Sequence, residues 1–179
     1  MQLFSFSIIP AIAAVIFGTW GAAGHQSIFT DTVVDLDEVT AVSYDVQATT
    51  FGLSSSNFNR ESPKIVTGLY GMAVVGTKYI RQAFNATEMD DEQARNAIVS
   101  LAIFVNAQQT LMNELIEKRH LASKHASQAE IAQGLQALHS ATIGAEDALA
   151  RVVPTREEEA NALFHKMNGA LDAALAAYY

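Results

Sequence analysis

DDEQARNAIVSLAIFVNAQQTLMNELIEKRH, residues 90–120, decides how the rest of the chain is read. Asp90-x-x-Gln93 places an acceptor at an N-cap and a reciprocal side chain three residues on, the pattern that satisfies two orphan amides of a helix start. Apolar residues then recur at helical spacing through Ala94, Ala97/Ile98, Leu101, Phe104/Val105, Leu111/Met112 and Leu115/Ile116. Lys118-Arg119-His120 closes the stretch with cations suited to the negative end of a helix dipole. One position breaks the stripe. Gln108 stands where the period asks for an apolar residue, and a polar side chain there must find a partner in the core or face something other than core.

The flanking segments repeat the helical reading. Asp31 or Thr32 can cap a first helix with the stripe Val39, Val42, Val46, Thr49 and Leu53, its acids Asp35, Asp37, Glu38 and Asp45 lying off the stripe. Ser62-Pro63 predicts the start of a second helix running to about Phe84, apolar nearly all round and hence deeply buried. Its Gly68, Gly71 and Gly76 each cost about 0.8–1 kcal/mol against alanine in a helix interior. They imply either close approach of a neighbouring helix or room left for a guest. Ser127-x-x-Glu130 and Thr155-x-x-Glu158 read as two more capping boxes. They open a fourth helix (Ile131, Leu135, Leu138, Thr142, Ala145, Leu149) and a fifth (Leu163, Phe164, Met167, Leu171, Ala174, Leu175, Tyr178). The expected class is all-α, a bundle of about five amphipathic helices that leaves room for a central apolar cavity.

Composition narrows the function. The 179 residues hold no cysteine, which excludes disulfides, thiolate metal sites and thiol chemistry. A formal charge of -8 argues against nucleic acid or an anionic membrane as partner. Residues 1–26 carry no Asp, Glu, Lys or Arg, and the small residues Gly21-Ala22-Ala23-Gly24 follow an apolar run. Residues 1–24 therefore read as a secretion signal, with a membrane anchor as the rival, and residues 25–179 as the mature domain. Asn85-Ala86-Thr87 fits an N-glycosylation acceptor at Asn85.

Catalytic and metal chemistry is not encoded in any recognisable pattern. Glu117-x-x-His120 has the spacing of one half of a di-iron site, but a second pair and further glutamates are missing. His120 and His125 straddle a loop, whereas His139 and His165 are lone helix residues. No nucleophile elbow, phosphate loop, dinucleotide turn or calcium loop occurs. The sequence predicts a non-enzymatic protein without metal or cofactor.

What the stripes do offer is a hollow interior. Met72, Met112 and Met167 fall on three different stripes, and methionine adapts to irregular space. The expected lining is Leu69, Met72, Tyr79, Leu101, Phe104, Val105, Met112, Leu135, Leu138, Phe164, Met167 and Leu171, with Gln108, Thr142 or the Tyr79 hydroxyl taking a polar head group. Lys118, Arg119 and Lys124 are alternative head-group partners at a mouth.

Several stretches taken in order carry a family resemblance. They are Asp45-Val46-Gln47, Leu115-Ile116-Glu117-Lys118-Arg119, Leu135-Gln136-Ala137-Leu138 and the closing Ala170-Leu171-Asp172-Ala173-Ala174-Leu175-Ala176-Ala177-Tyr178. Over about residues 35–179 the chain resembles the secreted fungal hydrophobic surface-binding and cell-wall galactomannoprotein family. The resemblance implies a bundle of about five helices. It also implies capture of fatty acids in a central apolar tunnel, or adsorption to hydrophobic solids such as wax or polyester with recruitment of secreted hydrolases. Some members are wall antigens with Ser/Thr-rich tails or lipid-anchor signals, which adds a structural or antigenic cell-wall mannoprotein without a ligand as a further alternative. The chain ends at Tyr179 without such a tail, so release to the medium is expected over wall attachment.

Overall fold

The computed structural model describes residues 28–84 and 86–179, with side chains from Thr32 onward. Residues 1–24, expected as a secretion signal, and the glycosylation candidate Asn85 lie outside the described residues. Five helices follow one another: α1 Ile28–Phe51, α2 Phe58–Ala83, α3 Asp91–Lys124, α4 Gln128–Val152 and α5 Glu157–Tyr178, the last entered through a 3₁₀ turn at Pro154–Arg156. No strand occurs among the described residues.

The packing order differs from the chain order. α1 packs on α2, α2 on α4, α4 on α5, α5 on α3 and α3 back on α1. The helices thus close a five-membered ring, and α3 meets its sequence neighbour α4 only weakly. Ring geometry has a consequence. Five smooth cylinders with axes about 10 Å apart leave a central channel of roughly 3.5 Å radius, where four leave roughly 2 Å. Side chains must fill that extra space or leave it empty.

Local chemistry explains where each helix begins and ends. The capping box of α3 is formed, with Gln93 N donating to Asp90 Oδ1 at 2.8 Å and Asp90 N to Gln93 Oε1 at 3.3 Å. The other two expected boxes are not. Ser127 sits at φ -98°, ψ 10° and makes no capping bond, because its own amide closes the end of α3 on Ala122 O at 3.1 Å. An N-cap acceptor needs an extended backbone, which that closure denies. Thr155 is absorbed into the 3₁₀ turn. Arg156 beside it grips Asp91 through Nε and Nη2 (3.0 and 3.1 Å) and Glu159 through Nη1.

Three boundaries move from their expected places. α1 already runs from Ile28, so Asp31 and Thr32 lie inside it and do not cap it. α2 starts a turn before Pro63, at Phe58, whose ring is wholly buried and stacked on His125 at 5.0 Å. α3 continues past His120 to Lys124 because Leu121 and Ala122 are buried and extend its apolar stripe. α2 is also less enclosed than its composition suggests: Val74 is 63% and Tyr70 41% exposed.

Candidate functional site: an apolar cavity in one half of the bundle

The ring is filled unevenly. One half is built from the end of α1, the start of α2, the end of α3, the start of α4 and the end of α5. There Ile65, Leu69, Leu111, Met112, Leu115, Leu135 and Leu171 have essentially no exposed surface. Close approach is secured at Gly68, where a Cβ would run into Val46, and at Gly134, where one would lie 3.1 Å from Leu69. Tyr178 locks the end by donating from its hydroxyl to Leu115 O at 2.9 Å. Burial pushes that phenol above its usual range.

The other half holds a cavity. Its wall takes Thr32, Asp35, Leu36 and Val39 from α1, and Met72, Val75, Gly76 and Tyr79 from α2. α3 adds Leu101 and Phe104, α4 adds Leu138, Ala141, Thr142, Ala145 and Leu149, and α5 adds Phe164 and Met167. All five helices contribute, as a ring requires. The enclosed cavity volume is about 50 Å³, and the cleft with its open mouth measures about 530 Å³. The smaller figure is room for a few water molecules, below the size of a ligand site, and the larger counts open solvent at the mouth. A long chain would have to displace wall side chains, for which the flexible Met72 and Met167 are suited.

Between the halves lies a polar knot. Gln108 is completely buried; its Nε2 donates to Ser43 Oγ at 2.5 Å and approaches Met72 Sδ at 3.0 Å. Ser43, also fully buried, donates onward to Val39 O at 2.7 Å. Gln108 Oε1 has no hydrogen-bond partner. The residue that interrupts the α3 stripe thus lies behind Met72, off the cavity wall.

The expected lining residues divide along the same line. Met72, Tyr79, Leu101, Phe104, Leu138, Phe164 and Met167 lie on the wall, as does Thr142. Leu69, Val105, Met112, Leu135 and Leu171 are interlocked in the core away from the wall. Thr142 Oγ1 donates to Leu138 O at 2.9 Å, so its hydroxyl keeps only acceptor capacity toward the cavity. Lys118 sits at the packed end and donates to Leu53 O at 3.3 Å, and neither it nor Arg119 or Lys124 is on the cavity wall. Gly68 and Gly76 serve helix approach, to Val46 and Ala141 respectively, whereas Gly71 meets nothing within 4 Å.

Sequence reasoning missed the polar rim of the cavity. α1 buries Thr32, Asp35, Thr40, Ser43 and Thr50, a stripe that alternates with its valines. Thr40, Ser43 and Thr50 return their hydroxyls to the carbonyl four residues earlier, at 2.6–2.8 Å, and so can sit inside a helix bundle without a tertiary partner. Asp35, expected in solvent, is 4% exposed and pairs with Lys78 Nζ at 2.7 Å. Thr32, Asp35 and Lys78 each make further polar contacts. Beside them the Tyr79 phenol is pushed up to about 12, first by burial and then by the Asp35 charge, with Thr32 pulling the other way. The signal available in sequence was the seven-residue spacing Thr32, Val39, Val46, Leu53 with Asp35 about one turn from both Thr32 and Val39, hence on the same face.

Solved structures share this fold. AFMP4P in complex with palmitic acid superposes with a TM-score of 0.78 at 11% identity, over 84% of this chain and 99% of that one. Ligand binding domain 1 of the Penicillium marneffei MP1 protein, complexed with arachidonic acids, gives 0.75 at 11% identity, over 85% and 97%. Domain 2 of the same protein, again with arachidonic acids, gives 0.75 at 9%, over 88% and 96%. Likeness at this identity is one of fold. No protein-family model matches the chain, and no curated protein matches it in sequence. No helix among the described residues is long and apolar enough to cross a membrane, and no group of three metal-ligating side chains occurs among them.

Proposed function

We propose that this protein is a secreted, non-enzymatic lipid carrier of the hydrophobic surface-binding and galactomannoprotein kind, holding one long apolar chain in the cavity half of its helix ring. The observation that carries the reading is the wall itself: five helices each turn apolar side chains toward one cleft, and the flexible ones stand where a chain must pass. Two features support it further. The structures of like fold were solved with palmitic or arachidonic acid bound, and the leader-like residues 1–24 precede the ring.

Titration calorimetry with palmitate tests the proposal. Binding near one chain per protein is expected, and Ala145→Phe, which fills the wall from α4, should weaken it at least tenfold without changing helicity. Unaltered affinity in that variant would remove the cavity from the binding event.

A second reading has its own observation. Val99 and Ile103 stand one turn apart on α3 at 55% and 49% exposure, as do Tyr70 and Val74 on α2. Such pairs suit an adhesin that adsorbs to wax or polyester, alone or with a hydrolase. Adsorption that survives Ala145→Phe and is lost in Val99→Ser/Ile103→Ser would favour it.

A further inference from the structure

The cavity wall has a chemical polarity of its own. Among the described residues Asp35 is the one charged side chain on it, with the hydroxyls of Thr32, Tyr79 and Thr142 as its other polar side-chain groups. The balancing cation, Lys78, lies off the wall with its side chain 51% exposed, reaching Asp35 Oδ1 from the solvent side at 2.7 Å. A ligand head that reaches this end of the cavity therefore meets a carboxylate before it meets an ammonium.

An ionised fatty-acid head would there stand nearer the Asp35 carboxylate than the Lys78 ammonium that offsets it, and would give up its water to apolar walls. A cationic head would give up the same hydration, and its attraction to Asp35 is reduced by the ammonium already paired there. An uncharged donor meets neither objection. It can give its proton to an Asp35 oxygen and accept from the Tyr79 hydroxyl, in the way that polar groups of a largely apolar site fix a ligand's orientation.

We propose that the head group taken at the Asp35 end is an uncharged hydroxyl, so that the preferred cargo is a long-chain alcohol or another neutral hydroxyl-bearing lipid, not an ionised fatty acid. The proposal rests on the carrier reading above and names the class of lipid that the same cavity selects.

Three probes of one chain length decide it: dodecan-1-ol, methyl dodecanoate and dodecanoate, titrated at pH 8 into the full protein below their aggregation limits. Dodecan-1-ol should bind about tenfold or more tighter than dodecanoate, the scale of one like-charge contact partly offset by the paired Lys78 ammonium. The ester, which accepts but cannot donate, should fall between them. Asp35→Asn should narrow the alcohol-to-carboxylate gap to about threefold or less by the same reckoning. Dodecanoate binding as tightly as the alcohol to the unmutated protein overturns the head-group proposal while leaving the carrier intact. Binding of none of the three overturns both. The ranking on the unmutated protein decides the question even if Asp35→Asn does not fold.

Discussion

Leu135 and Leu138 lie one turn apart on α4, both buried, yet they belong to different kinds of interior. Leu135 belongs to the half where Leu69 presses on Gly134 and no space is left. Leu138 borders the cleft formed where the five helices fail to fill their ring. The same apolar pattern builds both halves. What separates them is the size of the residues opposite: glycine against leucine and valine interlocks, whereas Thr32, Ala141, Thr142 and Ala145 leave the centre open. A hollow interior is thus a local property of the ring, set by a few small or polar wall residues.

The largest expected effect breaks that comparison or confirms it. Leu135→Ala should cost about 3–4 kcal/mol in urea unfolding, the usual range for a cavity opened in a packed core. Leu138→Ala should cost about 1–2 kcal/mol less, since a side chain beside a void already lacks partners on one side. Equal costs would mean that the two halves are packed alike.

Alkaline pH offers a second contrast. The Tyr79 hydroxyl titrates near 12 in the fold and near 10 when unfolded, so its contribution is complete below pH 10 and is lost as pH rises toward 12. That loss amounts to about 2–3 kcal/mol. Tyr178 in the packed half acts with the same sign. Stability measured from pH 9 to 12 should fall more gently in Tyr79→Phe than in the parent; an unchanged slope would place that phenol in water.

Gln108 probes the polar knot between the halves. Gln108→Leu should leave stability within about 1 kcal/mol of the parent, because it removes a buried carbonyl oxygen that has no partner while Ser43 keeps its bond to Val39 O. Gln108→Ala should cost about 2–3 kcal/mol through the space it opens. A large loss in the leucine variant would show that the knot itself holds the bundle together.

The smallest effect concerns the turn at the packed end. Ala126 has φ 59°, a left-handed conformation at the close of α3 that glycine adopts without penalty. Ala126→Gly should raise stability by about 0.5–1 kcal/mol, read as a rise in melting temperature with ligand affinity untouched.

How much of this was legible beforehand depends on the kind of signal. Helix number and class followed from periodicity, because α3, α4 and α5 each show one apolar face over several turns. Caps were less readable. Asp90 and Gln93 formed their box, but Ser127 was already committed to closing α3 and Thr155 to a proline-led turn, constraints that the S/T-x-x-E pattern does not carry. The cavity wall was legible for residues such as Met72, Leu101 and Phe164. It was not for Leu69, Leu135 or Leu171, since a stripe tells which face points inward and not whether that depth of the ring is full. Asp35 was missed for a different reason. An acid early in a helix is satisfied by the dipole in solvent, and only the ring brings Lys78 of α2 within 2.7 Å of it.

The central claim is that an apolar chain enters one half of this ring and not the other. Methyl NMR with a nitroxide-labelled stearic acid tests it directly. Binding should broaden the methyl signals of Met72, Leu138 and Met167 and spare those of Met112, Leu135 and Leu171. Broadening spread evenly over both sets, or confined to surface methyls such as Val99 and Ile103, would contradict it.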